Sequence, residues 1–351
     1  MKYYNELLEE DLEYILNHTK DIWDHFRNKT TFITGGTGFF GKWFLETFSY
    51  ANNKLNLNCK IIVLSRNPQK FFEEFPYIKN NPIFKFIKGD VKDFDFPKDT
   101  IDYIIHAATE ASAKLNNEDP LLMIDNIIEG TKRTLELAKE KKVESFLFIS
   151  SGAVYGKQPS NITHVPEDYN GAPNCQDPNS AYGEGKRVGE LLSAIYSKQF
   201  DIPVKIARCF AFVGPFLPLD THFAIGNFIL NALNLENIII KGDGTPYRSY
   251  LYTADLTIWL LTILLKGKNN VAYNVGSDED LNIKDLADTI ANCRDNKIKI
   301  EIKMKQDSSK NVERYVPSVS RVKKEFQLDF NIDLIRSANK TIEYYLNEKS
   351  T

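Results

Sequence analysis

The sequence predicts an α/β protein, a doubly wound parallel sheet interleaved with a smaller C-terminal lobe. Three observations predict it. Residues 31–41 (TFITGGTGFFG) run from a short β-forming stretch through a glycine cluster into an aromatic helical pattern at Phe44, Leu45 and Phe48. Beyond them, strand-length apolar runs alternate with helix-length amphipathic ones to about residue 210. Polar clusters fall at the carboxyl ends of those strand-length runs, where an open parallel sheet forms its ligand crevice.

Composition narrows the function classes. The 351 residues have ample apolar material for a core, 42% of the chain. A net charge of -3 leaves no basic footprint, so nucleic acid is not an expected partner. The four cysteines, Cys59, Cys175, Cys209 and Cys293, are too scattered for a metal site or a disulfide framework and are expected as reduced thiols. Apolar runs such as 61–64 and 259–265 are too short to span a bilayer, and the acidic residues Glu9, Glu10 and Asp11 do not fit a signal peptide. No membrane association and a cytoplasmic location are the expectation.

Taken in order, residues 1–28 form an N-terminal helical extension, with Leu8, Leu12, Ile15, Ile22 and Phe26 near helical spacing. Residues 29–210 are expected as a dinucleotide-binding domain. Strands are predicted over 60–65, 83–87, 101–106 and 145–150, and helices over 121–141 and 181–198. Residues 211–351 read as mostly a substrate-binding lobe, with segments at about 248–276 returning to the first domain.

The glycine cluster fits Gly36-x-Gly38-x-x-Gly41 and equally Gly35-x-x-Gly38-x-x-Gly41. Glycines there allow a tight turn and bring bare N–H groups and a helix's positive end against a pyrophosphate. Gly35, Thr37, Gly38, Phe39, Phe40 and Gly41 are therefore assigned to a dinucleotide. After the second strand, where an acidic residue usually meets the adenosine ribose, the chain has Ser65 and Arg66. A hydroxyl beside a guanidinium suits a 2′-phosphate, which favours NADP over NAD. Asp90 and Val91 are placed at the adenine, and Ala107, Ala108 and Thr109 end the next strand toward the cofactor.

Tyr182 and Lys186 lie four apart at the start of a helical pattern, so they share a face. A phenol is a poor base near neutral pH, and a neighbouring ammonium favours its phenolate. Ser150 and Ser151 end a strand, from which a hydroxyl could bond the same substrate oxygen.

Several motifs in the same order resemble the extended short-chain dehydrogenase/reductase family of nucleotide-sugar epimerases and dehydratases. They are TGGTGFFG, HAAT at 106–109, NIIEGT at 126–131, SSGAVYG at 150–156 and YGEGK at 182–186, followed by RCFAFVGP at 208–215, KGDGTPYRSYLYTADL at 241–256, YNVG at 273–276 and RYVPSVSR at 314–321. The resemblance covers residues 30–346. It implies a Rossmann-type domain, a tightly held nicotinamide cofactor, and a nucleoside-diphosphate sugar that is oxidised and reduced at one carbon, usually C4. Carried onto this chain, Tyr182 is the general base, Lys186 tunes it and holds the nicotinamide ribose, and Ser151 bonds the reacting oxygen. Arg248 and Arg314 fall where the family meets the diphosphate; Asn227 and Glu110 are further substrate candidates. A homodimer is implied, with the Tyr182 helix and residues 126–139 pairing with their symmetry mates.

Two departures bear on the reaction. The family's 4,6-dehydratases carry Asp-Glu after the catalytic hydroxyl, and its sugar-acid decarboxylases a carboxylate in the same segment; this chain has Gly152 and Ala153. Ala211 stands where the RxxNxxGP pattern has Asn. The reading is C4 epimerisation, with an NADPH-dependent keto-sugar reductase or the reverse dehydrogenase as its alternative.

Overall fold

The computed structural model describes residues 4–109, 113–220, 223–294, 298–307, 309 and 311–348. The chain folds as two compact units, each with its own core. The first comprises Met1–Gly156, Ala172–Arg208 and Thr257–Tyr273, the second Lys157–Gly171, Cys209–Leu256 and Asn274–Thr351. Compared with the expected boundaries, residues 157–171 lie in the second unit and the return to the first spans 257–273.

In the first unit α1 (Glu9–His18) precedes β1 (Thr30–Thr34), α2 (Phe39–Leu55) and β2 (Lys60–Ser65). Short helices α3 (Pro68–Glu74) and α4 (Pro76–Lys79) lead to β3 (Phe84–Lys88) and β4 (Tyr103–His106). Then come α5 (Ala113–Glu118), α6 (Pro120–Lys141), β5 (Ser145–Ser151), α7 (Ala181–Phe200) and β6 (Val204–Cys209). The sheet has seven strands in the order Val271–Val275, β6, β5, β4, β1, β2, β3. β1 pairs in parallel with both β2 and β4, so the strand order reverses there. Such a reversal opens a crevice at the strands' carboxyl ends.

Strands β1 and β5 are buried along their whole length, and β2 at every residue but Lys60. That explains why they read as continuous β-branched and aromatic runs rather than alternating ones: both faces are covered. Helix boundaries follow local chemistry. Asp119 caps α6 by accepting from the Leu122 N–H, with Pro120 in the first turn, and α2, α6 and α7 each end on a left-handed residue, Asn56, Lys142 and Asp201. Gly189 lets α7 close on the sheet, since a Cβ there would lie 2.5 Å from Phe148 Cζ.

The N-terminal segment belongs to the core of this unit. Leu8, Leu12, Ile15, Ile22, Trp23 and Phe26 are buried. The Trp23 and Phe26 rings meet Phe48 of α2 edge-on, and Phe26 also meets Tyr103 of β4. Among the described residues no helix is long and apolar enough to cross a membrane.

The second unit holds helices Ala224–Asn234, Ile283–Asn292 and Leu334–Glu348 and, among the described residues, three small sheets. In one of these, Tyr247–Ser249 lies between Asp280–Asn282, antiparallel to it, and Arg314–Tyr315, parallel to it.

His106, at the end of β4, is fully buried and stacks on Phe148. Its Nδ1 lies 2.8 Å from Thr34 Oγ1 and its Nε2 3.1 Å from Thr131 Oγ1. Burial, with a smaller contribution from the Lys186 ammonium, lowers its pKa from 6.5 to about 3. The unfolded chain therefore takes up a proton below pH 6.5 that the folded chain refuses. Stability present above that value is lost as the pH falls toward 3, by about 1.4 kcal/mol per pH unit. We expect His106→Gln to flatten this stretch of the stability curve in denaturant unfolding; an unaltered acid slope would mean that the native ring is not held neutral.

Candidate active site

The turn from β1 into α2 is a cradle of bare backbone. Gly35 has φ +71°, and a Cβ on it would lie 2.5 Å from the Ala107 carbonyl oxygen. The Gly38 N–H donates to Gly35 O at 3.0 Å, and Gly38 is the N-cap of the 17-residue α2. A Cβ on Gly41 would lie 2.4 Å from Gly35 O, so glycine is required there by packing. Thr37, Phe39 and Phe40 are half-buried in the same turn. N–H groups at such a helix start lack intrahelical acceptors and carry the positive end of the dipole, so the residues fit the pyrophosphate of a dinucleotide.

Around this turn lie the other positions expected to meet the cofactor. Ser65 is buried at the end of β2, and Arg66, the next residue, is exposed. Lys88, exposed on β3, pairs in register with Ser65; the sequence reading missed it. Asp90 Oδ1 accepts from the Lys92 N–H and its carbonyl from Phe94 N–H, so part of its bonding capacity shapes its own turn. Val91 packs where a Cβ on Gly130 of α6 would be. The Ala108 N–H donates to Thr34 Oγ1, which fixes the end of β4 beside the glycine turn.

Tyr182 is the second residue of α7, and its N–H donates to Asn116 Oδ1 of α5 at 2.9 Å. Asn116 Nδ2 donates to Asn179 O, so one amide ties α5 to the start of α7. Lys186 is 3% exposed. Its ammonium donates to Ile149 O at 2.7 Å and Thr109 Oγ1 at 3.0 Å and stands 6.0 Å from the centre of the Tyr182 ring. Ser151 caps the 3-10 turn Gly152–Tyr155 by accepting from the Ala153 N–H at 3.1 Å. Ser150, by contrast, donates to Glu190 at 2.6 Å. Ser150 is thus committed to Glu190, which leaves Ser151 as the candidate hydroxyl.

The first unit thus gathers the glycine turn, Ser65, Ala107, Ala108, Thr109, Ser151, Tyr182 and Lys186 at the strands' carboxyl ends. Such a set can hold a dinucleotide and move a proton to or from a substrate hydroxyl, with Tyr182 as acceptor and Ser151 as donor. Glu110 lies outside the described residues.

In the second unit Arg248 and Arg314 lie on adjacent strands, with Arg314 paired to Tyr247 and Tyr315 to Arg248. Arg248 donates to Tyr247 O. The Arg314 guanidinium lies 4.0 Å from the centre of the Tyr247 ring and donates to Asp280 Oδ2 at 2.5 Å. Sequence reasoning missed Asp280, which is 34 residues from its partner. Asn227 is in the first turn of Ala224–Asn234, where its amide donates to Phe223 O.

Residues 31–276 match the model of the NAD dependent epimerase/dehydratase family. Among curated proteins the chain is 30% identical over 299 residues to UDP-glucuronic acid decarboxylase 6 of Arabidopsis thaliana, covering 84% of this chain and 82% of that protein. It is 31% identical over 273 residues to a dTDP-D-glucose 4,6-dehydratase of Dictyostelium discoideum, covering 74% of this chain and 61% of that protein. Among solved structures, UDP-glucose 4-epimerase of Thermotoga maritima superposes with a TM-score of 0.76 at 21% identity, over 91% of this chain and 99% of that one. UDP-glucuronic acid 4-epimerase of Bacillus cereus, solved with UDP-glucuronic acid and NAD, gives 0.77 at 23%, over the same shares. At such identities the superpositions speak for the fold alone; the match over residues 31–276, with the Arabidopsis relative, shows that the chain belongs to the NAD dependent epimerase/dehydratase family of enzymes.

Proposed function

We propose that the chain is a nucleotide-sugar epimerase that works through a 4-keto sugar. The observation that carries this reading is the surroundings of Ser151. The proton-transfer set Ser151, Tyr182 and Lys186 is complete, while Gly152 and Ala153, next in the chain, bring no acid or base. Loss of water across C5 and C6 needs both beyond the hydride step, and a carboxylate is usual here in sugar-acid decarboxylases. Relatives named for those two reactions are similar to the chain in sequence; the proposed reaction differs from theirs on account of these two positions.

In this reading Ser151 donates a hydrogen bond to the sugar O4 and the Tyr182 phenolate takes its proton. Lys186 favours that phenolate by its charge. The glycine turn and Lys186 would hold a nicotinamide cofactor, which would supply hydride acceptance at C4 and its return to the other face of the 4-keto sugar. Tyr182 would give the proton back to O4 of the inverted sugar. Arg248 and Arg314, on neighbouring strands, hold the diphosphate by charge-assisted bonds. Binding energy taken there orients the sugar without adding to the chemical barrier.

For the cofactor we infer NADP, with NAD as the alternative. Arg66 and Lys88 flank Ser65, two cations and a hydroxyl where a 2′-phosphate would lie. Among the structural relatives, the Bacillus cereus enzyme was solved with NAD. For assembly we infer a homodimer through α6 and α7, which expose Leu121, Leu191 and Ile195.

Three measurements test these readings. With purified chain and UDP-glucose or UDP-glucuronic acid, C4 epimers should form without added cofactor and without release of carbon dioxide. Tyr182→Phe should keep cofactor binding and lose at least about 10²-fold in rate. Carbon dioxide release, a 4-keto-6-deoxy product or steady consumption of NADPH would overturn the epimerase. Arg66→Ala should weaken NADPH binding by about 10-fold or more and leave NADH unaffected; equal effects on both would remove the 2′-phosphate assignment. Sedimentation should give twice the chain mass, and Leu191→Glu should give monomers; a monomeric wild-type chain would end the dimer reading.

A further inference from the structure

We propose that Glu190 is a positioning residue of the active site: paired with Arg208, it anchors both ends of the segment that carries Ser151 and so fixes that hydroxyl relative to Tyr182. The inference rests on the catalytic reading above and adds a residue pair to it.

Glu190 follows Tyr182 by eight residues and Lys186 by four, so all three share a face of α7. Two successive residues of β5 are tied to that face. Lys186 donates to the carbonyl of Ile149, and Ser150 Oγ donates to Glu190 Oε1 at 2.6 Å. The next residue is Ser151. Its hydroxyl is not spent on Glu190; it accepts from the Ala153 N–H instead.

The far end of the segment returns to the same ion pair. Arg208, near the end of β6, grips Glu190 with two parallel bonds, Nε to Oε1 at 3.0 Å and Nη2 to Oε2 at 2.7 Å. Its remaining arm donates from Nη1 to the Tyr155 hydroxyl at 2.8 Å, and its guanidinium lies 4.8 Å from the centre of that ring. Tyr155 is the last residue of the 3-10 turn that Ser151 caps. Ser150, Glu190, Arg208 and Tyr155 therefore close a ring of side chains around the backbone of residues 151–154. Ser150 is 2% and Tyr155 3% exposed, so both anchors are sheltered from water. Burial disfavours the Arg208 charge, and the bonds from Glu190 outweigh it, holding the guanidinium above its ordinary pKa.

A sheltered ion pair of this sort adds little stability over well-packed apolar residues, because desolvation offsets the attraction. What it does supply is direction: a bidentate fork admits one relative orientation of α7 and β6, and the tethers pass it to Ser151. An error of about 1 Å in placing a catalytic group can cost about 10²-fold in rate.

The test compares Ser150→Thr with Ser150→Val, which have the same shape and differ in the hydroxyl. In the epimerase assay S150T should retain the kcat of the unaltered chain, and S150V should lose about 10-fold, the KM and the cofactor Kd of the two staying within about 2-fold. Adding Glu190→Gln to S150V should cost less than the product of the separate losses, as for residues that act through one contact. Equal kcat for S150T and S150V, a loss that appears in KM or cofactor affinity instead, or fully multiplicative losses would each overturn the proposal while leaving the epimerase intact. Failure of the unaltered chain to act on any nucleotide sugar would remove both together.

Discussion

The buried ammonium of Lys186 is the constraint on which the first unit's site depends. A cation with 3% exposure must spend its N–H groups on protein acceptors, since isolated charge in a low-dielectric interior is costly. Lys186 spends two of them on the carbonyl of Ile149 and the hydroxyl of Thr109, which locks α7 to the ends of β5 and β4 at once. The approach this demands is steric as well as polar: glycine at 189 makes room for Phe148, whose ring lies 5.1 Å from the ammonium. His106 stacks on the same Phe148 ring and is held neutral, so it adds no second cation beside Lys186. The charge that would tune Tyr182 is thus also what fixes the helix bearing it.

Much of this was legible because its signals are local. A strand, a glycine turn and a helix start are written in eleven consecutive residues, and Tyr182 and Lys186 share a face by spacing alone. The covered strands betrayed themselves by running apolar without alternation. The second tier of the site was not legible. Asn116 reaches Tyr182 across 66 residues and Ser150 reaches Glu190 across 40, and no periodicity encodes either bond. Choosing Ser151 over Ser150 from sequence rested on family pattern; that Ser150 donates to Glu190 is visible only in the fold.

Arg248 and Arg314 show the same limit in the second unit. Each could be named from motifs, but their adjacency comes from pairing between strands whose partner residues, such as Tyr247 and Arg314, are far apart in sequence, and the loosened pattern past residue 210 gave no register. Nor did it reveal that Arg314 is held by Asp280 and by the Tyr247 ring. Such a counter-ion has two opposing effects on an incoming diphosphate. It lowers the gain from neutralising a guanidinium, because one anion partner is already present, and it orders a long side chain beforehand, sparing rotamer entropy on binding.

The choice of reaction turns on how one hydroxyl is used. Because Ser151 Oγ accepts the Ala153 N–H, its own hydrogen is directed to another acceptor, which suits a bond to the substrate oxygen. In the proposed reaction Tyr182 would provide the matching proton acceptor, so that a single sugar oxygen would meet one donor and one base. That pair would supply the proton transfer for interconverting an alcohol and a ketone, the hydride going to and from a nicotinamide cofactor that the glycine turn would hold. Elimination would need a second base at C5 and an acid at the leaving oxygen, and the two positions after Ser151, which could carry them, hold a buried Gly152 and a half-buried Ala153. A site so equipped can oxidise and reduce at C4 but has nothing in this segment with which to break the bond beyond it, and this is the physical ground for reading an epimerase on a scaffold shared with decarboxylases and dehydratases.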